Sequence, residues 1–204
     1  EQYNVTYHQH MVEIHRRDNG IGCRTEIFVA PFDDVEIRRV TIVNETNKPR
    51  VIEVTSYSEI VLAPALDDER HPAFSKLSVE STFMSAHNGL VFARRPRSPG
   101  QSDPVMLHCV VAEDENIGFH GYETDRGAFV GRNGNMRRPA GPIEGLTGTT
   151  GWTLDPVASL QVRVRLGPRE TCQFAFLTIA GASRANVIET AGRYATLSSL
   201  DWAM

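Results

Sequence analysis

Apolar and polar residues alternate with a period of two through most of this chain, and turn chemistry interrupts the alternation at roughly 8–12-residue spacing. Successive side chains of an extended strand point to opposite faces, so the pattern belongs to β-strands with one buried face. Tyr3, Val5 and Tyr7 share one face of the run 2–7, and Val35, Ile37, Arg39, Thr41 and Val43 alternate against Glu36, Arg38, Val40 and Ile42. Further strand patterns cover 24–30, 50–62, 77–84, 90–93, 106–112, 118–122, 128–130, 160–166 and 171–180. Three hairpins are expected: 35–43 with 50–62, 77–84 with 90–93 across Asn88-Gly89, and 160–166 with 171–180 across Gly167-Pro168. About ten strands with turns between them predict an all-β fold, a large antiparallel β-sandwich. The 204 residues suit one such unit, since sandwiches run to roughly 200–250 residues.

A single helix is expected at the end. Ser183 can cap it, and Val187, Ile188, Ala191, Tyr194 and Ala195 form one apolar face that runs on toward Leu200 without a stop signal. The division expected is a sandwich over 1–182 and, over 183–204, a helix leading into further protein. The chain opens on Glu1 inside a strand-like pattern, as a piece of a longer protein would. No apolar run reaches the ~18–20 residues of a membrane-spanning helix.

The formal net charge of −4 argues against a general nucleic-acid binder, which shows a basic excess. Cys23, Cys109 and Cys172 are odd in number and widely spaced. Buried free thiols in a reducing compartment are expected, not a zinc or redox motif. There is no nucleophile elbow, P-loop or dinucleotide fingerprint, so no cofactor is expected. His8 and His10 would face the same way on a strand, with Glu13 and His15 close behind. No further ligand set accompanies them, so edge-strand histidines or a contact with another domain are expected in place of a metal site.

Two long connections stand out, 63–72 and 131–151; structureless loops longer than about 12–15 residues are uncommon and often functional, and the second is of that length. The first holds Asp67, Asp68, Glu69, Arg70 and His71, and Phe74 follows at the expected start of a strand. An imidazole, an aromatic ring and carboxylates suit sugar recognition, because rings stack on pyranose C–H faces and polar groups bond hydroxyls. A loop pinned by Pro72 over a core Phe74 is the competing reading. Near the second connection, Glu123 and Asp125 share a face if extended, with Arg126 and Arg132 close by. A carboxylate pair can do acid–base work on a glycosidic bond, whereas structural pairing with the arginines would occupy it. The run Arg94-Arg95-Pro96-Arg97-Ser98-Pro99-Gly100 could grip an anion or form a solvated or interdomain turn.

Taken in order, several stretches carry a family resemblance. They are Val35–Thr41, Asn47-Lys48-Pro49-Arg50, Glu53 through Pro64 with its Thr-Ser-Tyr-Ser-Glu-Ile-Val-Leu-Ala-Pro wording, His71 through Leu77, Arg94 through Ser98, and Tyr122-Glu123-Thr124-Asp125-Arg126 with Gly131-Arg132. This resembles the β-sandwich (supersandwich) domain of cyclic β-1,2-glucan synthases, in the ring-closing region, and more distantly that of glycoside hydrolase family 94 disaccharide phosphorylases. The chain departs from the relatives' Gly-Arg-Gly-Arg run with Gly131-Arg132-Asn133-Gly134-Asn135.

The resemblance implies that the helix from Ser183 leads to an (α/α)6 barrel holding the catalytic carboxylates. This chain would then have no catalytic residue of its own. The parent would be an inner-membrane enzyme that elongates β-1,2-glucan and closes it by transglycosylation. The sandwich would lie on the cytoplasmic side without touching the membrane. Its partners would be the barrel and glucan. His71, Phe74, Glu123, Asp125, Arg126 and Arg132 become the candidates for the sugar-site rim or the barrel interface. Two alternatives stand: an independent β-glucan-binding module, or the sandwich of a family 94 phosphorylase.

Overall fold

The computed structural model describes residues 1–96 and 103–203. The strands, in chain order, are β1 (Gln2–Tyr7), β2 (Met11–Asp18), β3 (Ile21–Val29), β4 (Val35–Asn44), β5 (Arg50–Thr55) and β6 (Ser58–Glu59), then, after helices α1 (Ala65–Arg70) and α2 (Pro72–Lys76), β7 (Val79–Met84), β8 (Gly89–Arg94), β9 (Val105–Val111) and β10 (Ile117–Asp125). Helices α3 (Arg126–Val130) and α4 (Gly141–Glu144) precede β11 (Gly151–Trp152), β12 (Pro156–Leu166) and β13 (Thr171–Gly181), and α5 (Arg184–Arg193) and α6 (Leu197–Asp201) close the fold. Nine strands form one antiparallel sheet in the order β1-β2-β3-β4-β13-β9-β8-β7-β11, and a second sheet runs β10-β12-β5 with β6 also on β12.

The two faces of the large sheet carry separate cores. On β4 and β13, Val40, Ile42, Phe174 and Phe176 pack against Leu160, Val162, Val164 and Leu166 of the small sheet. On the opposite face, Val35, Ile37, Leu177 and Ile179 pack against Val187 and Ala191 of α5 and Leu200 of α6. Strands covered on both sides are apolar on both sides, as seen in the all-buried central stretch of β13. Each fully buried Leu, Ile or Phe contributes roughly 1.5–3 kcal/mol of transfer free energy.

The sandwich expected from the sequence is present, and so is the hairpin at Asn88-Gly89, where β7 pairs β8 and Asn88 takes the left-handed conformation at φ 43°. The other two hairpins are not formed. β4 pairs with β3 and β13, β5 pairs with β12, and β12 does not pair with β13. Both connections cross between sheets instead. Period-two runs joined by a short turn look the same whether the second strand pairs with the first or arches over it. Here the two arches brace each other. Asn44, fully buried, donates from Nδ2 to the carbonyls of Lys48 (2.8 Å) and Gly167 (2.7 Å), and the Asn44 and Arg169 amides bond the Glu170 and Thr46 carbonyls.

Four local expectations also change. Residues 128–130 belong to helix α3, because Asp125 caps it by accepting from the Ala128 amide. Phe74 lies in α2 and not on a strand, and the connection 63–72 holds α1. His8, Gln9 and His10 form the turn between β1 and β2, closed by the His8 amide on the Met11 carbonyl. The terminal helix stops at Arg193, and Thr196 starts α6 with a capping box. Both helices lie back on the large sheet, with Val187, Ala191 and Tyr194 buried as the apolar face predicts and Ala195 exposed. All three cysteines are free thiols; burial pushes Cys109 up to about 12 and, as the main cause, Cys172 up to about 11. Among the described residues no helix is long and apolar enough to cross a membrane.

Candidate functional site

The segments 71–76 and 123–126, about fifty positions apart, meet at one charged junction. Lys76, at the end of α2, reaches the Asp155 carboxylate at 2.6 Å and Glu59 of β6 at 4.0 Å. Arg126, opening α3, approaches Glu59 at 3.4 Å and Asp155 at 3.8 Å. The Arg126 Nε donates to the Tyr57 hydroxyl at 3.2 Å, which donates to Glu59 Oε1 at 3.2 Å. The Tyr57 ring lies 4.7 Å from that of buried Phe129 on α3. Burial raises the Tyr57 hydroxyl above its ordinary value, and the Arg126 hydrogen bond opposes the rise. Lys76 is mostly buried and its partners are half-exposed, so solvent screens these pairs and each adds little to stability. The junction therefore sets geometry more than stability: it fixes α2 to α3. Phe74 stands exposed on α2, and Trp152 and Leu154 are exposed just before Asp155.

The acidic pair has a different setting. Glu123 is fully buried. Its Oε1 accepts from the amides of Thr124 (2.9 Å) and Asp125 (3.0 Å), and its Oε2 from the Thr147 amide (3.1 Å) and hydroxyl. The neighbouring Thr124 hydroxyl donates to the Thr149 carbonyl at 2.8 Å and accepts from Ser81. Glu123 thus ties the segment 147–149 to β10, and Asp125 caps α3. Neither carboxylate pairs with an arginine among the described residues, and the two do not face each other across a cleft, as acid–base work on a glycosidic bond needs.

Arg132 is exposed on the loop that follows α3, where a pocket of about 420 Å³ is lined by Arg132, Arg138, Ile143 and Glu144. The loop folds tightly onto α3 because two positions carry no side chain. A Cβ on Gly134 would lie 1.8 Å from the Val130 carbonyl oxygen, and Gly131 has φ +76° with a Cβ position 2.5 Å from that of Ala140. His71 is exposed between α1 and α2.

His71, Phe74 and Arg132 are thus exposed, Asp125 and Arg126 are half-buried and Glu123 is interior. The structure joins the His71–Lys76 and Glu123–Arg126 segments through Asp155, and among the described residues no hydrogen bond or ion pair links either to Arg132. Tyr57, Glu59 and Asp155 were not singled out from the sequence. Tyr57 and Glu59 lie inside the Thr-Ser-Tyr-Ser-Glu motif that carried the resemblance, whereas Asp155 has no local signal. Of the arginine run, Arg94 is buried and donates to the Leu62 carbonyl at 3.3 Å, while Arg97 through Gly100 lie outside the described residues. Among the described residues no three His, Cys, Asp or Glu side chains gather into a metal-holding group. What the junction offers chemically is binding and packing: exposed rings, paired cations and carboxylates, and no activated nucleophile.

Comparison with known proteins fits this architecture. The family described as "Glycosyl hydrolase 94, supersandwich domain" matches residues 1–197. The cyclic beta-(1,2)-glucan synthase NdvB of Rhizobium meliloti (strain 1021) is 38% identical over 175 residues, 83% of this chain and 6% of NdvB. The chain therefore spans a small fraction of that relative's length. Among solved structures, the polysaccharide lyase BACCELL_00875 superposes with a TM-score of 0.50 at 14% identity, over 92% of this chain and 23% of the lyase; that likeness concerns the fold alone. The braced sandwich, its order of motifs and the family match over residues 1–197 together make this chain a member of the glycosyl hydrolase 94 supersandwich family.

Proposed function

We propose that this chain is the non-catalytic sandwich module of a glucan-processing enzyme, which shapes the sugar site of a neighbouring catalytic barrel through its α2–α3 surface. The parent chemistry proposed is that in the name of the NdvB relative, cyclic β-1,2-glucan synthesis, with glucosyl transfer and ring closure carried out elsewhere in the parent. The observation that carries the reading is the Lys76–Asp155–Arg126 junction. It holds two motifs of the family resemblance in fixed relation and presents Phe74 beside them, yet supplies no acid–base pair. In this reading Lys76, Arg126 and Asp155 are positioning residues, His71, Phe74 and Arg132 are the contact candidates, and Glu123 and Asp125 hold the backbone beneath them. The segment from Ser183 onward would lead to the barrel.

The isolated chain mixed with linear β-1,2-glucan should give no cyclic product, and ring formation would sink the reading. In the intact parent enzyme, Arg126→Ala should lower cyclic product about tenfold, as the loss of about 1.4 kcal/mol of transition-state positioning would. Unchanged cyclisation in that variant would remove the role given to the α2–α3 surface.

A further inference from the structure

The face of the large sheet that carries α5 and α6 continues past them, over β1 to β4, as an open trough. Two rows of cross-strand partners line it: Asn4, His15, Arg24 and Thr41, and beside them Gln2, Arg17, Gly22 and Val43. They enclose a cavity of about 560 Å³, with Glu45 at one end and Tyr3 at the outer edge. None of these residues belongs to the α2–α3 junction. Gly22 lowers the middle of the floor; a Cβ there would come within 3.3 Å of the Glu45 carboxylate.

The charge arrangement indicates which ligand would fit. Both arginines whose side chains line the trough already have a carboxylate. Arg24 holds Glu13 at 3.0 Å and Glu26 at 2.8 Å, Arg17 holds Glu45, and the His15 ring hydrogen-bonds Glu13. An incoming anion would meet cations already engaged. What remains is a set of fixed N–H donors, carboxylate oxygens and the amides of Gln2 and Asn4, which both donate and accept. That is the complement of hydroxyl groups, which also do both. Four adjacent strands span about 14 Å, room for a short run of sugar rings.

We propose that this open face of β1–β4 is a holding groove for a neutral oligosaccharide, a stretch of β-glucan, separate from the α2–α3 surface. The choice of glucan rests on the function proposed above; the groove and its preference for a neutral hydroxylated ligand do not. It also gives a role to Glu13 and His15, which the sequence marked as unusual and the junction does not use.

Linear β-1,2-gluco-oligosaccharide titrated into the chain should give saturable amide shifts at Asn4, His15, Arg24 and Thr41. Gln2→Ala combined with Asn4→Ala, both exposed on the edge strand, should weaken binding about tenfold, and Val43→Trp should block it by filling the floor. Arg126→Ala should leave it unchanged. Shifts confined to the surroundings of Phe74 and Arg126 would overturn the groove while leaving the proposed function standing. So would an absence of binding alongside impaired cyclisation by Arg126→Ala in the parent. Tighter, salt-sensitive binding of an anionic oligosaccharide at the same amides would overturn the neutral-ligand assignment.

Discussion

His108 is buried between the sheets, with Nε2 2.8 Å from the Ser56 hydroxyl and Nδ1 3.2 Å from that of Thr178. Desolvation, and secondarily the Arg38 charge, lowers it to about 4, so the folded state holds it neutral. The unfolded chain binds a proton near the ordinary value of ~6.5. Stability from this residue is therefore full above pH ~6.5 and is lost as pH falls from there toward 4, by about 3 kcal/mol at most. Urea midpoints measured across that range should fall, and His108→Gln should flatten the slope. Glu123 invites a second test. Glu123→Gln replaces an acceptor with a donor facing either Thr147 or the Thr124 and Asp125 amides. It should cost about 1–3 kcal/mol, and hydrogen exchange should show protection lost first at the Thr147 amide. Unchanged exchange there would mean that Glu123 does not hold the loop.

At the scale of elements, the paired arches after β4 and β12 decide the topology. Asn44→Ala removes two hydrogen bonds from a fully buried amide to backbone carbonyls and the acceptor for Thr46, so a loss of about 2–4 kcal/mol in chemical denaturation is expected. Asp125→Ala should cost less, about 0.5–2 kcal/mol, because it removes one cap from a short helix; its clearer readout is weaker protection of the Ala128 amide. These elements were legible to different degrees. The β7–β8 turn was readable because Asn88-Gly89 is itself a conformational instruction. Helix α3 was readable in principle from Asp125 as a cap and Gly131 as a stop, but three apolar-looking residues, Ala128 to Val130, suggested extension. The two false hairpins could not be resolved locally, since arch and hairpin share one strand pattern.

The whole molecule has three layers, and α5 with α6 forms the outermost. Ending the chain after Gly181 would expose Val35, Ile37, Leu107, Leu177 and Ile179 together. A patch of that kind drives association, so the truncated chain should bind a hydrophobic dye and aggregate where the full chain does neither. A soluble truncated chain of unchanged melting temperature would show that the helices are dispensable to the sandwich. The candidate surface shows the same divide. His71, Phe74 and Arg126 stood out by residue type and motif, but Asp155, which binds both Lys76 and Arg126, comes from a distant turn without a signature. Alternation, turn residues and Ser183 as a cap determined by themselves that this would be an antiparallel sandwich with a terminal helix, because each acts within a few residues of backbone. Which strands share a sheet, where the helix lies and whether a carboxylate faces solvent or is closed over by amides depended on contacts between segments far apart in the chain. Those choices were made only when the two sheets and the helices buried their apolar faces together.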